Sequence, residues 1–268
     1  MERNNIAQKP SNLVQSVERV ANILELVGRN SQGTGIRDVS LILNLPKGTV
    51  HRLLSTLVYM GYVRQDSATK NYFLGLKLLE LGNLVTSQLD QIKIAEPVLR
   101  RLAEDSGETV HMAILEQNEI VYINKIEKEI NAGGLKMSSR VGSRTPANSC
   151  AVGKVLLAYS SEDEVESVIQ ATGLPPRTPN TITDPAQLKE HLAAVRKQEY
   201  AVDDEENELG IRCVAAPVFG DKGKVVSAIS ASGPAFRVTK RMIQDTLRKE
   251  VMRAASEISV LLGYSGVK

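Results

Sequence analysis

The stretch that decides the fold lies at residues 36–64 and reads IRDVSLILNLPKGTVHRLLSTLVYMGYVR. Its apolar residues recur at helical spacing on either side of a short break at Asn44, Leu45 and Pro46. This pattern predicts two helices joined by a tight turn, which is a helix-turn-helix. The apolar residues are Val39, Leu41 and Ile42 in the first helix and Val50, Leu53, Leu54 and Leu57 in the second.

The side of the second helix that faces away from these residues suits the major groove of DNA. A rotation of about 100° per residue places Arg52, Ser55 and Tyr59 on that side. Small and hydroxyl side chains allow close approach, the helix N-terminus favours a phosphate, and Arg52 can reach a guanine edge or the backbone. The predicted contacts on this helix are Lys47, Gly48, Thr49, His51, Arg52, Ser55 and Tyr59. The alternative is the solvated face of an ordinary helical hairpin, because such hairpins are common.

The residues after this helix pair favour DNA binding. Strand-like segments at 62–64 and 71–74 flank a polar turn at 66–70, so a β-hairpin is expected after the second helix. This order is the winged form of the helix-turn-helix, and the tip of a wing usually lies on phosphates. The predicted wing offers Arg64, Thr69 and Lys70.

Length and charge fit a two-domain protein with a DNA-binding end. The 268 residues are enough for about two domains, and an apolar content of 42% is ample for a core in each. The net charge is only +2, but residues 36–77 hold 6 Lys and Arg against 2 Asp and Glu. This local excess is a modest basic footprint of the kind that supports phosphate contact.

Composition argues against a membrane protein, an exported protein and a protein that binds single-stranded nucleic acid. There is no run of 18 apolar residues, and the first 30 residues are polar and charged, so a cytoplasmic protein is expected. Cys150 and Cys213 are far apart in a chain without an export signal, which favours two reduced thiols over a disulfide. With no Trp and three Phe, stacking on unpaired bases is disfavoured.

The rest of the chain predicts a linker helix and an α+β domain. An apolar stripe over 17–27 predicts a first helix beneath the helix-turn-helix. A leucine-rich segment at 75–88 predicts a helix between domains, which can transmit a rotation better than a flexible linker. Helices at both ends of a strand-rich centre then indicate helices packed on an antiparallel sheet. The predicted parts are a winged helix-turn-helix domain at 1–74, a linker helix at 75–90 and a second domain at 91–268.

Local signals place the elements of the second domain. Ser160 or Ser161 is a candidate cap for a helix at 162–172, and the three prolines within 173–183 predict a loop. Strands are predicted at 109–115, 120–126, 135–141, 213–219 and 225–232. The other helices are predicted at 92–106, from about 148, from 185 and at 239–262.

No pattern of catalytic or metal-binding residues stands out. Gly153 and Lys154 lack the preceding glycine of a P-loop, and none of the three histidines has metal-ligand spacing with another His or Cys. Either cysteine could pair with His111 as nucleophile and base, but two isolated residues carry little weight. The acidic run at 203–206 could bind a hard cation, but is interpreted mainly as a solvated charge run. We therefore predict no catalytic site, no metal site and no cofactor.

Four segments together resemble the IclR family of bacterial transcriptional regulators. They are LPKGTVHRLLSTL at 45–57, NSCAVGKVLLA at 148–158, DDEENELGIRCVAAPVF at 203–219 and VSAISASGP at 226–234. They occur in order and at appropriate spacing over nearly the whole chain. One departure is Gly48, where members often have Ser, and it removes a potential hydrogen bond to phosphate or base. The resemblance implies a DNA-binding homodimer, often a homotetramer formed by two dimers, whose C-terminal GAF-like domain binds a small metabolite.

The resemblance also implies where that effector binds, at a strand around Met137, the start of the helix near residue 151 and the last two strands. The implied effector-binding residues are Met137, Thr145, Asn148, Ala151, Val152, Asp203, Cys213, Ser230 and Ser232. Backbone N–H groups at the helix start form an anion site, and Ser230 and Ser232 share one strand face. Asp203 repels a carboxylate unless a proton or a ligand hydroxyl lies between them, so we expect an acid that also carries a hydroxyl or hydrated carbonyl. The structural alternatives are Met137 as core, Cys213 as a small buried hydrophobe and Asp203 as a local cap.

The sequence thus predicts a double-stranded-DNA-binding regulator that responds to a small molecule. Effector binding would shift the packing of the second domain, and the linker helix would pass the change to paired winged helices. Two alternatives remain open. One is a small-molecule enzyme fused to a DNA-binding module, using Cys213 or Cys150. The other is a redox sensor in which both thiols respond to oxidation.

Overall fold

The computed structural model describes residues 12–88, 90–127 and 137–266, which form two compact units that divide between residues 89 and 90. The N-terminal unit is a winged helix-turn-helix followed by one long helix. The C-terminal unit is an α/β domain on an antiparallel sheet. The predicted fold class is therefore confirmed. Among the described helices, none has both the length and the apolar character needed to cross a membrane.

The N-terminal unit has the predicted order of elements. They are α1 (Gln15–Arg29), α2 (Ile36–Ile42), α3 (Lys47–Tyr59), β1 (Val63–Gln65), β2 (Tyr72–Leu74) and α4 (Leu76–Gln88). β1 and β2 form an antiparallel hairpin in which Arg64 lies opposite Phe73. The core of the unit consists of Ile23, Val27, Val39, Val50, Leu54, Leu57, Val63 and Tyr72. Three of the four apolar α3 residues named from the sequence are thus in the core, and Leu53 packs against it.

The turn between α2 and α3 is held by local contacts. Asn44 adopts a left-handed conformation with φ of 50°, and the Ser40 hydroxyl donates to the Leu45 carbonyl at 2.7 Å. Of the three apolar α2 residues, only Val39 is buried, whereas Leu41 and Ile42 are exposed. The apolar spacing therefore overstates the buried side of α2, because this helix has only seven residues and turns one narrow stripe to the core.

The C-terminal unit is built on one six-stranded antiparallel sheet. Its strands are β3 (Thr109–Glu116), β4 (Glu119–Ile126), β5 (Arg144–Pro146), β6 (Ala201–Asp204), β7 (Ile211–Phe219) and β8 (Val225–Pro234). Their order is β5-β4-β3-β8-β7-β6, so β8 pairs with both β3 and β7. Residues that are more than 100 positions apart in the sequence consequently meet at the centre of the sheet.

Six helical segments complete this unit. They are α5 (Asp90–Ser106), α6 (Ala151–Tyr159), α7 (Glu162–Thr172), α8 (Pro185–Gln198), α9 (Lys240–Met242) and α10 (Arg248–Leu261), with a π-helical turn (Ile243–Leu247) joining the last two. α5 and α10 pack on each other and on the sheet, while α6 packs on the sheet and on α8. Ser161 caps α7 through a capping box with Glu164, as its sequence position predicted. Residues 151–158 of α6 are all buried, so this short helix lies within a core cluster.

Two local predictions were wrong. Residues 137–141 form no strand, because the turn around Gly142 (φ 83°) leaves only 144–146 paired with β4. The other two residues of that predicted strand, 135 and 136, lie outside the described residues. The acidic run is also not a solvated surface, because β6 pairs with β7 and its alternation turns Asp203 inward. Asp203 and Glu206 are both buried.

Candidate functional sites in the two units

The face of α3 that the sequence assigns to DNA is open to solvent. Thr49 is half-buried, and Tyr59 is 92% exposed. In the part of the chain that the structure describes, the side chains of Lys47 and Arg52 have no hydrogen-bond or ion-pair partner. Both cations can therefore reach a phosphate or base without breaking an existing contact. The other residues assigned to this face, all exposed, are Gly48, His51 and Ser55.

The start of α3 is suited to an anion. Pro46 occupies the N-cap position and no side chain caps the helix, so the N–H groups of Lys47 and Gly48 have no acceptor within the described residues. A Cβ added at Gly48 would meet no atom within 4 Å. The helix start thus combines free N–H groups, a lysine and open space, and a phosphate fits that combination.

The wing presents its cations on a two-stranded hairpin. The guanidinium of Arg64 lies over the Phe73 ring, 4.4 Å from its centroid, which leaves its N–H edge free. The Asp66 carboxylate accepts from the Thr69 backbone at 2.7 Å and from the Thr69 hydroxyl at 2.8 Å, so Thr69 is used inside the turn. Lys70 is exposed and has a left-handed backbone with φ of 61°. Arg64 and Lys70 therefore remain the candidates for phosphate contact.

A cavity of about 130 Å³ in the C-terminal unit brings together most of the predicted effector-binding residues. Its walls come from all six strands of the sheet, the start of α6 and the segments around residues 138, 177 and 207. The predicted residues that line it are Met137, Thr145, Ala151, Val152, Asp203, Cys213, Ser230 and Ser232. Asn148 is the exception. It is fully buried outside the lining, where its side-chain amide donates to the Ile182 carbonyl at 2.9 Å.

Strand register explains why the serines face the cavity. Ser230 lies opposite His111 on β3, and Ser232 lies opposite Cys213 on β7. Because residues two apart on a strand share a face, both hydroxyls and both neighbours point into the same space. Ser230 and Ser232 are buried, which confirms the shared face that their spacing predicted.

Asp203 is the acidic group of the cavity interior. Its side chain is 1% exposed and accepts backbone hydrogen bonds from Glu206 at 2.7 Å and Asn207 at 3.4 Å. Burial raises the pKa of this carboxyl to about 7, although Lys154 and the backbone donors act in the opposite direction. Asp203 can therefore hold a proton at neutral pH and donate it to a bound oxygen.

His111 is held as a neutral ring beside the serines. Its Nε2 lies 2.9 Å from the Ser139 hydroxyl, its Nδ1 lies 3.5 Å from the Ser232 hydroxyl, and its ring centroid is 5.1 Å from that of Tyr122. Burial lowers the pKa of His111 to about 3, and the charge on Lys125 lowers it further. A neutral imidazole offers one donor and one acceptor, so His111 adds hydrogen bonds without adding charge.

Both thiols also line the cavity, and both are free. Burial raises the pKa of the Cys150 thiol to about 12 and raises that of Cys213 well above its usual range. The thiolate is the nucleophilic and readily oxidised form, and burial disfavours it at both positions. The geometry therefore offers no activated thiol for the enzyme or redox alternatives. Within the described residues, no group of three His, Cys, Asp or Glu side chains is placed to hold a metal.

A buried ion pair lies next to Asp203 and was not predicted. The Lys154 ammonium is fully buried and donates to Glu206 Oε1 at 2.5 Å and to the Val202 carbonyl at 2.6 Å. Glu206 Oε2 has no hydrogen-bond partner within the described residues. The pair ties α6 to the segment after β6, and this segment carries part of the cavity wall. The available signal was a single lysine in the otherwise apolar run of residues 151–158.

The sequence did not place several polar lining residues in the pocket, among them His111, Arg144, Arg177, Asn207 and Glu208. Asn207 accepts from the Thr145 hydroxyl at 3.0 Å and the Ser149 hydroxyl at 3.2 Å, which fixes the segment around it. The two arginines come from the edge strand β5 and from the proline-containing loop. No local pattern marks these residues, because the fold alone brings their segments to the cavity.

Comparison with known proteins covers both units. Residues 16–67 match the model of the IclR helix-turn-helix domain, and residues 83–260 match that of the bacterial transcriptional regulator IclR C-terminal domain. The HTH-type transcriptional regulator KdgR of Escherichia coli strain K12 is 38% identical over 256 residues, which cover 96% of this chain and 95% of that protein. Relatives of this kind are transcriptional regulators, not enzymes.

Solved structures agree over most of the chain. The Thermotoga maritima IclR structure superposes with a TM-score of 0.77 at 34% identity, covering 93% of this chain and 99% of that chain. An IclR homologue from Microbacterium hydrocarbonoxydans, crystallised with 4-hydroxybenzoate, superposes with a TM-score of 0.79 at 25% identity. That match covers 92% of this chain and 98% of the other.

Proposed function

The chain belongs to the IclR family of DNA-binding transcriptional regulators, and on that premise we propose that its cavity binds a small organic acid that alters operator binding. The domain at 91–268 is the effector-binding and oligomerisation part, and the winged helix is the output. The observation that carries this proposal is the cavity itself, which is lined by a buried carboxyl, two buried hydroxyls and the start of a helix. We place its action in the cytoplasm.

The chemistry of the cavity favours an acid that also bears a hydroxyl or carbonyl oxygen. The N–H groups of Ala151 and Val152 have no acceptor within the described residues and can take a carboxylate. Asp203 in its protonated form can donate to a second oxygen, and the serine hydroxyls can donate or accept. The 4-hydroxybenzoate bound to the Microbacterium homologue carries both an acid group and a hydroxyl, which supports this class of ligand.

The DNA-binding unit acts as a pair in this proposal. Five apolar side chains of α4 are exposed, namely Leu76, Leu79, Leu81, Leu84 and Val85. Five exposed apolar side chains on one helix support a homodimer, and two dimers can form a tetramer. A dimer would place two α3 helices on two half-sites of double-stranded DNA.

Transmission would run through the helical connection. α4 ends at Gln88 and α5 begins at Asp90, so little chain separates the output unit from the sensing unit. A change in the packing of the C-terminal unit can therefore alter the spacing or tilt of the paired winged helices. Effector binding and operator binding would then be linked, each changing the affinity for the other by the same factor.

The test is a panel of hydroxy acids, keto acids and uncharged analogues on the full chain. Binding is measured by titration calorimetry, and operator binding is measured by footprinting with and without each compound. We expect one or more acids to bind and to change the footprint. Binding of only apolar, uncharged compounds would overturn the organic-acid proposal. An unchanged footprint with every binding compound would overturn the switch.

A further inference from the structure

The mouth of the cavity carries two arginines that differ in their partners. Arg144 and Arg177 are both exposed lining residues. The Arg144 guanidinium donates to the Glu116 carbonyl at 2.9 Å and to the Glu116 carboxylate at 3.0 Å, and it lies 3.7 Å from Glu119. The Arg177 side chain has no hydrogen-bond or ion-pair partner over residues 12–88, 90–127 and 137–266. Arg177 is therefore available to meet a ligand, whereas Arg144 is already engaged.

The backbone of Arg177 is fixed relative to the cavity interior. Its N–H and that of Thr178 donate to the Thr181 hydroxyl oxygen at 3.0 and 2.9 Å. The Thr181 hydroxyl in turn donates to the Glu206 carbonyl at 2.6 Å, and the Thr178 hydroxyl donates to the Glu205 carbonyl at 2.7 Å. Two prolines immediately before Arg177 further restrict the chain. The loop is thus hydrogen-bonded to the segment that follows the buried Asp203, so the base of the Arg177 side chain has a fixed position at the rim of the cavity.

We propose that Arg177 recognises a second acidic group of the effector, so that the ligand is a short acid with a carboxylate or phosphate at each end. This inference rests on the proposed function, because it assigns the first acid group to the start of α6 and the serine hydroxyls. The planar guanidinium offers parallel N–H donors that match the two oxygens of a carboxylate or phosphate. The ligand then spans the cavity from its interior to its mouth.

The charge of Arg177 should determine whether the protein prefers a ligand with one acid group or with two. Glu208 lies on the same cavity lining, and its carboxylate accepts from the Ser138 hydroxyl at 3.4 Å. Arg177 adds a positive charge to a lining that also carries the Glu208 carboxylate, and this charge favours a second anion. Without Arg177, the Glu208 carboxylate remains on the lining and disfavours a distal acid group. Loss of Arg177 should therefore remove the preference for a diacid while leaving the binding of a monoacid in place.

The experiment compares two probes of equal chain length on the full protein. 2-Oxoglutarate and 2-oxopentanoate are both five-carbon 2-keto acids, and they differ only in a terminal carboxylate or methyl group. Titration calorimetry should show that wild type binds 2-oxoglutarate about tenfold or more tightly than 2-oxopentanoate. Arg177→Gln should abolish that preference, and Arg177→Lys should retain part of it because the charge stays while the fork is lost. Arg140→Gln, which removes an exposed arginine outside the lining, should leave the preference unchanged.

Each result decides the proposal. It is overturned if wild type binds both acids equally or binds neither, or if Arg177→Gln weakens both by the same factor. An equal effect of Arg140→Gln would assign the preference to general surface charge and would also overturn it. The regulatory proposal has a separate readout, which is the operator footprint. If an acid changes the footprint but the protein shows no preference for a diacid, the regulatory proposal stands and the Arg177 proposal falls. If no acid changes the footprint, the regulatory proposal is overturned even when the protein prefers a diacid.

Discussion

The α3 face and the cavity are built in opposite ways. The α3 face comes from one 13-residue helix, its cations are unpaired within the described residues, and nearly all of it is exposed. The cavity comes from at least five elements, and its polar interior is buried and hydrogen-bonded. A groove reader must project its side chains, whereas a small-ligand site must enclose its ligand. Truncation of an exposed α3 side chain should therefore change DNA binding with little effect on stability, and substitutions beside the cavity should change stability as well.

The largest effect is expected at the buried ion pair. Lys154→Met removes the ammonium that compensates Glu206 and leaves a buried carboxylate with no counter-charge. Breaking a buried pair in this way costs about 3–5 kcal/mol of the free energy of unfolding. Urea unfolding of the full chain, followed by circular dichroism, measures this loss.

The matched control is Lys189→Met, which breaks an exposed pair with Glu166 and should leave the urea midpoint almost unchanged. The double variant Lys154→Met with Glu206→Gln should recover most of the loss, since no buried charge is left unpaired. If Lys154→Met has the same urea midpoint as Lys189→Met, burial of the Lys154–Glu206 pair does not affect stability.

The α3 face and the cavity also differ in how well the sequence predicts them. The α3 face follows from helical periodicity, because its buried and exposed residues are neighbours in one element. The cavity follows only in part: Ser230 and Ser232 reveal a shared face by their spacing, but the strands that they oppose are set by the sheet order. The inward direction of Asp203, the ion pair of Lys154 and the place of Arg177 depend on pairings between distant segments. No local pattern specifies such pairings.

The next largest effect is expected on α3. Arg52→Ala should weaken binding to an operator fragment by about 1–3 kcal/mol if Arg52 reads a base. Because Arg52 is exposed and unpaired in the described structure, the free energy of unfolding should remain within about 0.5 kcal/mol of wild type. Filter binding at several salt concentrations measures both affinity and salt slope. An unchanged sequence preference with only a smaller salt slope would reassign Arg52 to a phosphate contact.

A smaller, pH-dependent effect is expected at Asp203. Its pKa of about 7 in the folded protein lies above the ordinary value of 3.8, so the folded chain binds this proton more tightly than the unfolded chain. The stability contributed by that proton is present at low pH and is lost as pH rises towards 7. If an anionic ligand binds the protonated form, its affinity should be flat below pH 7 and fall about tenfold per pH unit above it.

Asp203→Asn tests whether Asp203 causes the predicted fall in ligand affinity as the pH rises. The amide keeps the size of the side chain and a donor, but it cannot titrate. Calorimetric titration of the tightest-binding acid at pH 6, 7 and 8 should give a falling affinity in wild type and a nearly constant one in the variant. Equal pH dependence in the two proteins would show that Asp203 is not the titrating group.

The smallest effect is expected at Gly48 on the α3 face, where one substitution can change both helix stability and DNA contact. The position is exposed and no atom lies within 4 Å of an added Cβ, so Gly48→Ser fits without moving a neighbour. Replacing a helical glycine should stabilise the N-terminal unit by roughly 0.5–1 kcal/mol, and the new hydroxyl can add one hydrogen bond to DNA, worth about 1 kcal/mol. Gly48→Ala separates the two effects, because alanine stabilises the helix at least as much as serine does and has no hydroxyl. If the alanine variant gains as much operator affinity as the serine variant, the gain comes from a stiffer helix and not from a new contact.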